Sequence, residues 1–129
     1  MKRVLLDTHA WVWALHATSR LSPAARTAIE RADEAFVSAV SVYEIAQKVR
    51  RDAWPEMTVE RLDEIMADET LCARILPVTE STMRAAGLLS WSNRDPFDRM
   101  IAATAIGEEL VLVSKDAAFR EVGFVTTTW

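Results

Sequence analysis

The sequence predicts an α/β fold: a three-layer α/β/α domain whose mostly parallel, twisted sheet has four to five short strands. Short apolar runs, of which 4–6 and 110–114 are the clearest, alternate along the chain with segments of helical character. These runs are apolar without interruption, as expected of strands buried on both faces of a parallel sheet. Because neighbouring parallel strands need a crossover connection, the intervening helices predict βαβ units that cover both faces.

Five strands are predicted, in chain order, at 4–6, 35–38, 73–78, 110–114 and 123–125. The first ends at Asp7, and the third is stopped by Pro77, which cannot donate to a strand ladder. The fourth is the strongest, and the last is expected at an edge of the sheet.

The predicted helices are 10–15, 23–33, 41–51, 59–68, 80–89 and 96–107. Ser22, Thr58 and Asp95 are the expected N-caps of the second, fourth and sixth of these, and a proline follows Ser22 and Asp95 at the first helical position. The third helix is predicted to start at Ser41, because Ser41 and Glu44 have the S-x-x-E spacing of a capping box.

The composition indicates one compact domain over residues 1–129. Half of the residues are hydrophobic and 26% are charged, whereas the chain has only 3 glycines and 4 prolines. Such a chain can bury a substantial core and leaves little room for disorder. The formal net charge of −4 argues against a nonspecific nucleic-acid coat, since such binders are usually basic. A nucleic-acid enzyme whose acidic residues hold a metal ion is not excluded.

The sequence also bears on the compartment in which the protein is expected. A single cysteine, Cys72, excludes an internal disulfide and suits a reducing environment. The first six residues briefly resemble a secretory signal, but Asp7 and His9 interrupt the apolar run. No segment approaches the length of a membrane span. We therefore expect a cytoplasmic protein with no membrane segment.

Acidic residues from distant parts of the chain are predicted to meet at one rim of the sheet. In open parallel sheets, ligands bind beyond the carboxyl ends of the strands. Asp7 directly follows the first strand, and Asp116 closely follows the fourth. Glu44 and Asp98 lie in the first turns of helices that begin near the same rim.

Each of these acids also has a structural explanation. Asp7 and Asp116 can be ordinary loop residues at strand ends, and Asp95 can act as an N-cap alone. Glu44 can complete the capping box and pair with Lys48, four residues further on. Their shared location favours a common site over separate explanations.

Bringing carboxylates together has an electrostatic cost that a cation relieves. Two carboxylates about 4 Å apart repel by roughly 4 kcal/mol at an effective dielectric constant of 20. All-oxygen ligands without clustered Cys or His favour a hard ion, Mg²⁺ or Mn²⁺, over Zn²⁺. Such ions activate a water molecule and stabilise a leaving oxyanion, which predicts phosphodiester hydrolysis.

Four segments resemble the motifs of PIN-domain nucleases, in particular the VapC-type toxins of bacterial toxin–antitoxin pairs. In chain order they are Leu6-Asp7-Thr8-His9, Ser41-x-x-Glu44-Ile45-Ala46, Asp95-Pro96-Phe97-Asp98-Arg99-x-Ile101-Ala102 and Leu112-Val113-Ser114-Lys115-Asp116. Their order and spacing match the family over essentially the whole chain, and the third segment resembles its D-P-F-D subgroup.

The resemblance implies a PIN-like fold and a Mg²⁺- or Mn²⁺-dependent endoribonuclease that hydrolyses RNA. It also implies a protein that is usually a homodimer and is held inactive by a small cognate antitoxin. The family's acidic quartet, catalytic and metal-binding, falls on Asp7, Glu44, Asp98 and Asp116.

Three further residues are implied as supporting ones. Asp95 matches the extra acid of the D-P-F-D subgroup. Ser114 stands where many relatives carry threonine, and its hydroxyl is expected to orient Asp116 or a metal-bound water. Thr8 is expected to do the same beside Asp7.

For other residues near the acids, the sequence indicates a functional role less clearly. His9 is close enough to reach the site, but a packing or hydrogen-bonding role is the preferred interpretation. Trp91 is the best candidate among five tryptophans for stacking on a base, although core or dimer-interface positions are commoner. Some basic side chains near the acids can guide RNA phosphates, while most are expected to be solvated surface. They are Lys48, Arg50, Arg51, Arg94, Arg99 and Lys115.

Three functions other than that of a toxin are compatible with an α/β domain of this length. A phosphorylation-switched receiver domain needs an Asp at the end of the third strand, where this chain has Val78 and Thr79. A binding-only module is disfavoured because no member of the acidic quartet is missing. A PIN-domain nuclease in RNA processing fits the same motifs.

Overall fold

The computed structural model describes residues 1–68 and 73–129, so Cys72 lies outside the described residues. Its centre is a sheet of five parallel strands in the order β3-β2-β1-β4-β5. The strands are β1 Arg3–Leu6, β2 Glu34–Ser38, β3 Arg74–Leu76, β4 Val111–Val113 and β5 Thr127–Thr128. The predicted parallel α/β fold is confirmed.

Six α-helices connect and cover the strands within the described residues. They are α1 Thr8–His16, α2 Pro23–Glu30, α3 Ala39–Arg50, α4 Val59–Ala67, α5 Glu80–Leu88 and α6 Pro96–Gly107. Short 3₁₀ helices lie at Thr18–Arg20 and Ala117–Glu121. Across the described chain, none of the helices has the length and apolar character that crossing a membrane requires.

The sheet has an apolar cluster on each face, which gives the three layers. Alternate residues of β1 point to opposite sides: Leu6 joins one cluster, with Trp11 of α1, and Leu5 joins the other, with Ile101 of α6. Both leucines are fully buried. A strand covered on both faces explains why its sequence is apolar without alternation.

The sheet register brings the ends of three strands to one rim. Leu6, the last residue of β1, is paired with Val37 of β2 and with Val113 of β4. The Asp7 amide then donates to the Val113 carbonyl at 3.1 Å. The residues that follow these strands, and the helices that start there, therefore surround a common space.

The sixth helix begins and ends where the sequence predicts. The Asp95 carboxylate caps it by accepting a hydrogen bond from the Phe97 amide at 2.8 Å, and Pro96 occupies the first position. Ser22 and Thr58 cap α2 and α4 in the same way. Local capping chemistry thus fixes three of the helix starts.

The predicted capping box at the start of α3 is wrong. Ser38, not Ser41, is the N-cap, and its hydroxyl accepts from the Val40 amide at 3.2 Å. The helix therefore begins at Ala39, and Glu44 lies in its second turn, where no free amide is available to it. Glu44 therefore does not act as a capping residue, and capping does not explain its presence at this position.

Several other boundaries differ from the prediction by one to four residues, and two of them have a clear physical reason. The last strand is Thr127–Thr128, not 123–125, because Phe124 has a φ of 74°, which an extended strand excludes. Helix α2 stops at Glu30, about three residues earlier than predicted, and the chain turns there into β2.

Candidate active site

The acids predicted from the sequence line one cleft at the carboxyl rim of the sheet. Hydroxyl, basic and aromatic side chains complete its wall. The lining includes Asp7, Thr8, His9, Glu44, Lys48, Arg51, Asp95, Phe97, Asp98 and Asp116. Of the predicted set, only Ser114 does not line the cleft; it is buried and bonded to Asp7.

Asp7 is a buried carboxylate held by two hydrogen bonds. As the N-cap of α1 it accepts from the Ala10 amide at 2.8 Å, and its other oxygen accepts from the Ser114 hydroxyl. Burial raises the pKa of Asp7 to about 6 despite these hydrogen bonds, and the charges of Glu44 and Asp116 raise it further. The charged form of Asp7 is therefore costly without a compensating cation.

Ser114 connects two of the acids. Besides donating to Asp7, its hydroxyl oxygen accepts from the Asp116 amide at 3.1 Å. Asp116 itself is exposed, and its carboxylate caps the following 3₁₀ helix by accepting from the Ala118 amide at 2.9 Å. Ser114 thus orients Asp7 directly and Asp116 through the backbone.

Thr8 contacts Glu44, not Asp7. Its hydroxyl oxygen lies 2.9 Å from a Glu44 carboxylate oxygen and 2.9 Å from the buried Ser41 hydroxyl. Since a hydroxyl has one proton and a carboxylate only accepts, a relay in which Ser41 donates to Thr8 and Thr8 to Glu44 satisfies all three groups. On its other side, Glu44 forms the predicted ion pair with Lys48, with Nζ and Oε2 3.7 Å apart.

The carboxylate of Asp98 is hydrogen-bonded to Asn93, a residue that was not among those predicted from the sequence. The Asn93 side-chain amide donates to Asp98 at 3.0 Å, and the same side chain accepts from the Asp95 amide at 2.8 Å. Burial raises the pKa of Asp98 to about 6, although the hydrogen bond from Asn93 acts to lower it. The negative charges of Asp95, Asp116 and Glu44 also raise this pKa. An asparagine two residues before a helix cap was the only signal, and it is weak.

The Arg99 side chain has a structural role and does not line the cleft, where it could contact a phosphate. Its guanidinium donates to five backbone carbonyls of the preceding segment, those of Ala86, Gly87, Leu89, Trp91 and Asn93. These bonds engage all three of its nitrogens. Of the six basic residues near the acids, Arg99 is therefore one that neither guides phosphates nor forms solvated surface.

The aromatic residues divide between core and cleft. Trp91 packs on Phe119, with ring centroids 5.6 Å apart, in the apolar cluster around α6, so it is not available to stack on a base. His9 is exposed at the cleft and contacts the rings of Trp13 and Trp54.

The donor chemistry of the cleft fits a hard divalent cation. All four acids offer oxygen ligands, and Asp7 and Asp98 are carboxylates whose charge burial disfavours. Among the described residues, no three Asp, Glu, His or Cys side chains lie close enough together to hold a metal ion between them. Mg²⁺ keeps several of its waters and takes only one or two carboxylates, so an open arrangement suits it.

Sequence comparison relates the chain to known nucleases. A family model described as the PIN domain matches residues 4–125. The chain is 37% identical over 122 residues to Ribonuclease VapC22 of Mycobacterium tuberculosis, and the match covers 93% of this chain and 92% of that protein.

Solved structures show the same fold. DNA-bound VapBC from Salmonella typhimurium matches with a TM-score of 0.70 and 16% identity, over 99% of this chain and 98% of that one. FitAcB from Neisseria gonorrhoeae matches with a TM-score of 0.63 and 20% identity, over 98% of this chain and 96% of that one.

Proposed function

The chain belongs to the PIN-domain family, and on that basis we propose that it is an endoribonuclease toxin of the VapC type, restrained by a cognate antitoxin. The observation that carries the proposal is the meeting of Asp7, Glu44, Asp98 and Asp116 in one cleft. Similarity to a protein named as a ribonuclease supports it. The Asp95-Pro96-Phe97-Asp98 sequence supports a place in the D-P-F-D subgroup.

Mg²⁺ or Mn²⁺ is the proposed cofactor, with Asp7, Glu44, Asp98 and Asp116 as the residues that would hold it. When bound, the ion supplies an activated water and offsets the charge of the leaving oxyanion. The pKa values of Asp7 and Asp98, raised to about 6, support a site that needs a cation to be fully ionised. Thermal unfolding should therefore shift upward in millimolar Mg²⁺ or Mn²⁺, and an unmoved midpoint would count against the metal.

The protein's own contribution is to orient the carboxylates. Ser114 and the Ala10 amide fix both oxygens of Asp7, and Thr8 fixes one oxygen of Glu44. Groups held in this way need little reorganisation when charge develops in the transition state. Burial of Asp7 also keeps water away from one side of the site.

The test is cleavage of single-stranded RNA by the purified protein. We expect cleavage with Mg²⁺ or Mn²⁺, none in EDTA, and none by the Asp7→Asn variant, because Asp7 is proposed as a metal ligand. Asp63→Asn, which changes an exposed aspartate of α4 away from the cleft, is the matched control and should retain wild-type activity. Retained cleavage by Asp7→Asn would refute the assignment.

The antitoxin is expected to occupy the acidic cleft with a short basic or amphipathic segment. Support comes from the charge of the cleft and from the similarity of the fold to structures of a DNA-bound VapBC and of a toxin–antitoxin complex. The product of an adjacent small gene should suppress cleavage when the two proteins are mixed. Unchanged nuclease activity in its presence would exclude that pairing.

We also propose that the protein is a homodimer. It is proposed to act in the cytoplasm, where its RNA substrate lies. Large apolar side chains are exposed on the helices next to α6: Tyr43 on α3 is 60% exposed, and Leu88 on α5 is 72% exposed. Such surfaces are typical of subunit interfaces. Light scattering should give the mass of a dimer, and Leu88→Glu should reduce it toward a monomer.

A further inference from the structure

His9 lies where the acidic cleft meets a cluster of aromatic side chains. The imidazole is 5.4 Å from the Trp13 ring and 5.4 Å from the Trp54 ring, centroid to centroid, at tilts of 50° and 39°. Trp13 is itself in contact with Trp129, at 5.7 Å. The exposed His9 ring is therefore in contact with two larger rings that pack against the apolar core.

The polar atoms of His9 are free for a ligand. Within residues 1–68 and 73–129, its ring makes aromatic contacts but no hydrogen bond. The other histidine of α1, His16, is also exposed, yet its Nδ1 lies 2.6 Å from the Arg61 guanidinium. Packing alone does not require an imidazole at position 9, because an apolar ring would make the same contacts with the tryptophans.

Positive charges border this aromatic cluster. The Lys48 Nζ lies 5.1 Å from the Trp54 ring centroid, and the Lys115 Nζ lies 5.9 Å from that of Trp13. Lys48 also lines the cleft beside His9. A single-stranded nucleic acid presents base faces and phosphates in turn, which matches a ring surface with ammonium groups at its sides.

We propose that His9, with Trp13 and Trp54 behind it, is a subsite for one base of the RNA strand next to the acidic residues. The inference rests on the proposed ribonuclease function and extends it to the path of the substrate. The base stacks on the imidazole face, a ring nitrogen is left to bond the sugar–phosphate backbone beside it in the plane of the ring, and Lys48 and Lys115 lie near the adjoining phosphates.

Direct binding tests this subsite without requiring catalysis. The probe is a short, mixed-sequence, single-stranded RNA with a terminal fluorophore, and its anisotropy is measured with the full-length protein in EDTA. Stacking on an aromatic side chain contributes roughly 1–3 kcal/mol per base, so His9→Ala should weaken binding about tenfold. His9→Phe, which keeps a ring face but has no ring nitrogen, should recover part of the affinity, and His9→Gln, which has no ring, should resemble His9→Ala.

His16→Ala is the matched control, since it removes an exposed imidazole from the other end of the same helix. It should leave the RNA affinity unchanged. If the wild type cleaves RNA, His9→Ala should raise KM much more than it lowers kcat, because the substrate strand is bound less tightly while the acids are intact.

The outcomes separate the subsite from the proposed function. RNA binding that depends on His9, in a protein that never cleaves RNA, would support the subsite and reject the nuclease. Equal affinity of wild type, His9→Ala and His16→Ala would overturn the subsite even if cleavage is observed, as would absence of RNA binding by the wild type. If His9→Ala weakened binding of the antitoxin but not of RNA, the subsite would also be overturned, and the His9 ring would instead be a contact for the antitoxin.

Discussion

At the scale of single residues, three of the cleft acids have a neutral side chain as hydrogen-bond partner. Ser114 donates to Asp7, Thr8 to Glu44 and Asn93 to Asp98. The acids were predicted from the sequence, because each was expected to follow a strand or to lie in the first turn of a helix. It did not predict the pairs: Thr8 adjoins Asp7 in the chain, but successive residues at a helix start point in different directions, so Thr8 reaches Glu44.

Asp98 should oppose folding of the metal-free protein at neutral pH. Its pKa is raised from 3.8 to about 6, so its contribution to stability is present below pH 3.8 and is lost as the pH rises through 6. We expect Asp98→Asn to raise the free energy of unfolding near pH 7.5 by about 1 kcal/mol, less than the full shift implies because the site is partly solvated. Urea titrations in EDTA measure this.

The gain from Asp98→Asn should vanish near pH 4, where the wild-type side chain is also neutral. Asp63→Asn, on the exposed face of α4, serves as the control at both pH values. A variant no more stable than wild type at pH 7.5 would show that Asp98 carries no electrostatic strain.

Asn93 should act as a positioning residue for Asp98. Asn93→Ala removes the 3.0 Å hydrogen bond to the carboxylate and should lower cleavage activity and apparent metal affinity about tenfold, as is usual for partners of metal ligands. Metal titrations of the cleavage rate provide the measurement, since a purely structural loss would not move the midpoint. Ser92→Ala, its exposed neighbour, should not change it.

At the scale of elements, the start of α6 combines signals that agree, whereas the start of α3 offers two competing caps. Asp95 as N-cap and Pro96 at the first helical position both indicate a helix start at the same place, and the predicted bounds are those observed. Ser38 and Ser41 can each cap, and the choice depends on where β2 ends, which is a property of sheet pairing. The final strand was misplaced for another reason: Phe124, which is exposed, lies in a turn with a φ of 74°, and the apolar residues around it do not reveal that turn.

Arg99 should be the main support of the segment that precedes α6. Arg99→Met leaves five carbonyls without their charged donor and should lower the free energy of unfolding by about 2–4 kcal/mol. Urea unfolding gives the loss, and amide hydrogen exchange should show faster opening over 86–93. Arg84→Met, at an exposed position of α5, is the control, and an equally small loss in both variants would contradict this role.

At the scale of the whole molecule, the parallel sheet explains why residues as far apart as Asp7 and Asp116 share a cleft. Alternating apolar runs and helices predict that strands point the same way, and parallel strands deliver their following residues to one rim. The strand order β3-β2-β1-β4-β5 could not be predicted from the sequence, because it depends on which strands pair in three dimensions. Placing β1 between β2 and β4 brings Asp7 into the middle of the acidic cleft.

The central claim is that this cleft is a ribonuclease centre in the cell. Its most direct test is induced expression of wild type and Asp7→Asn at equal levels, followed by mapping of cleaved cellular RNAs. We predict growth arrest and new RNA ends with the wild type alone. The same RNA ends and the same arrest with Asp7→Asn would contradict the claim.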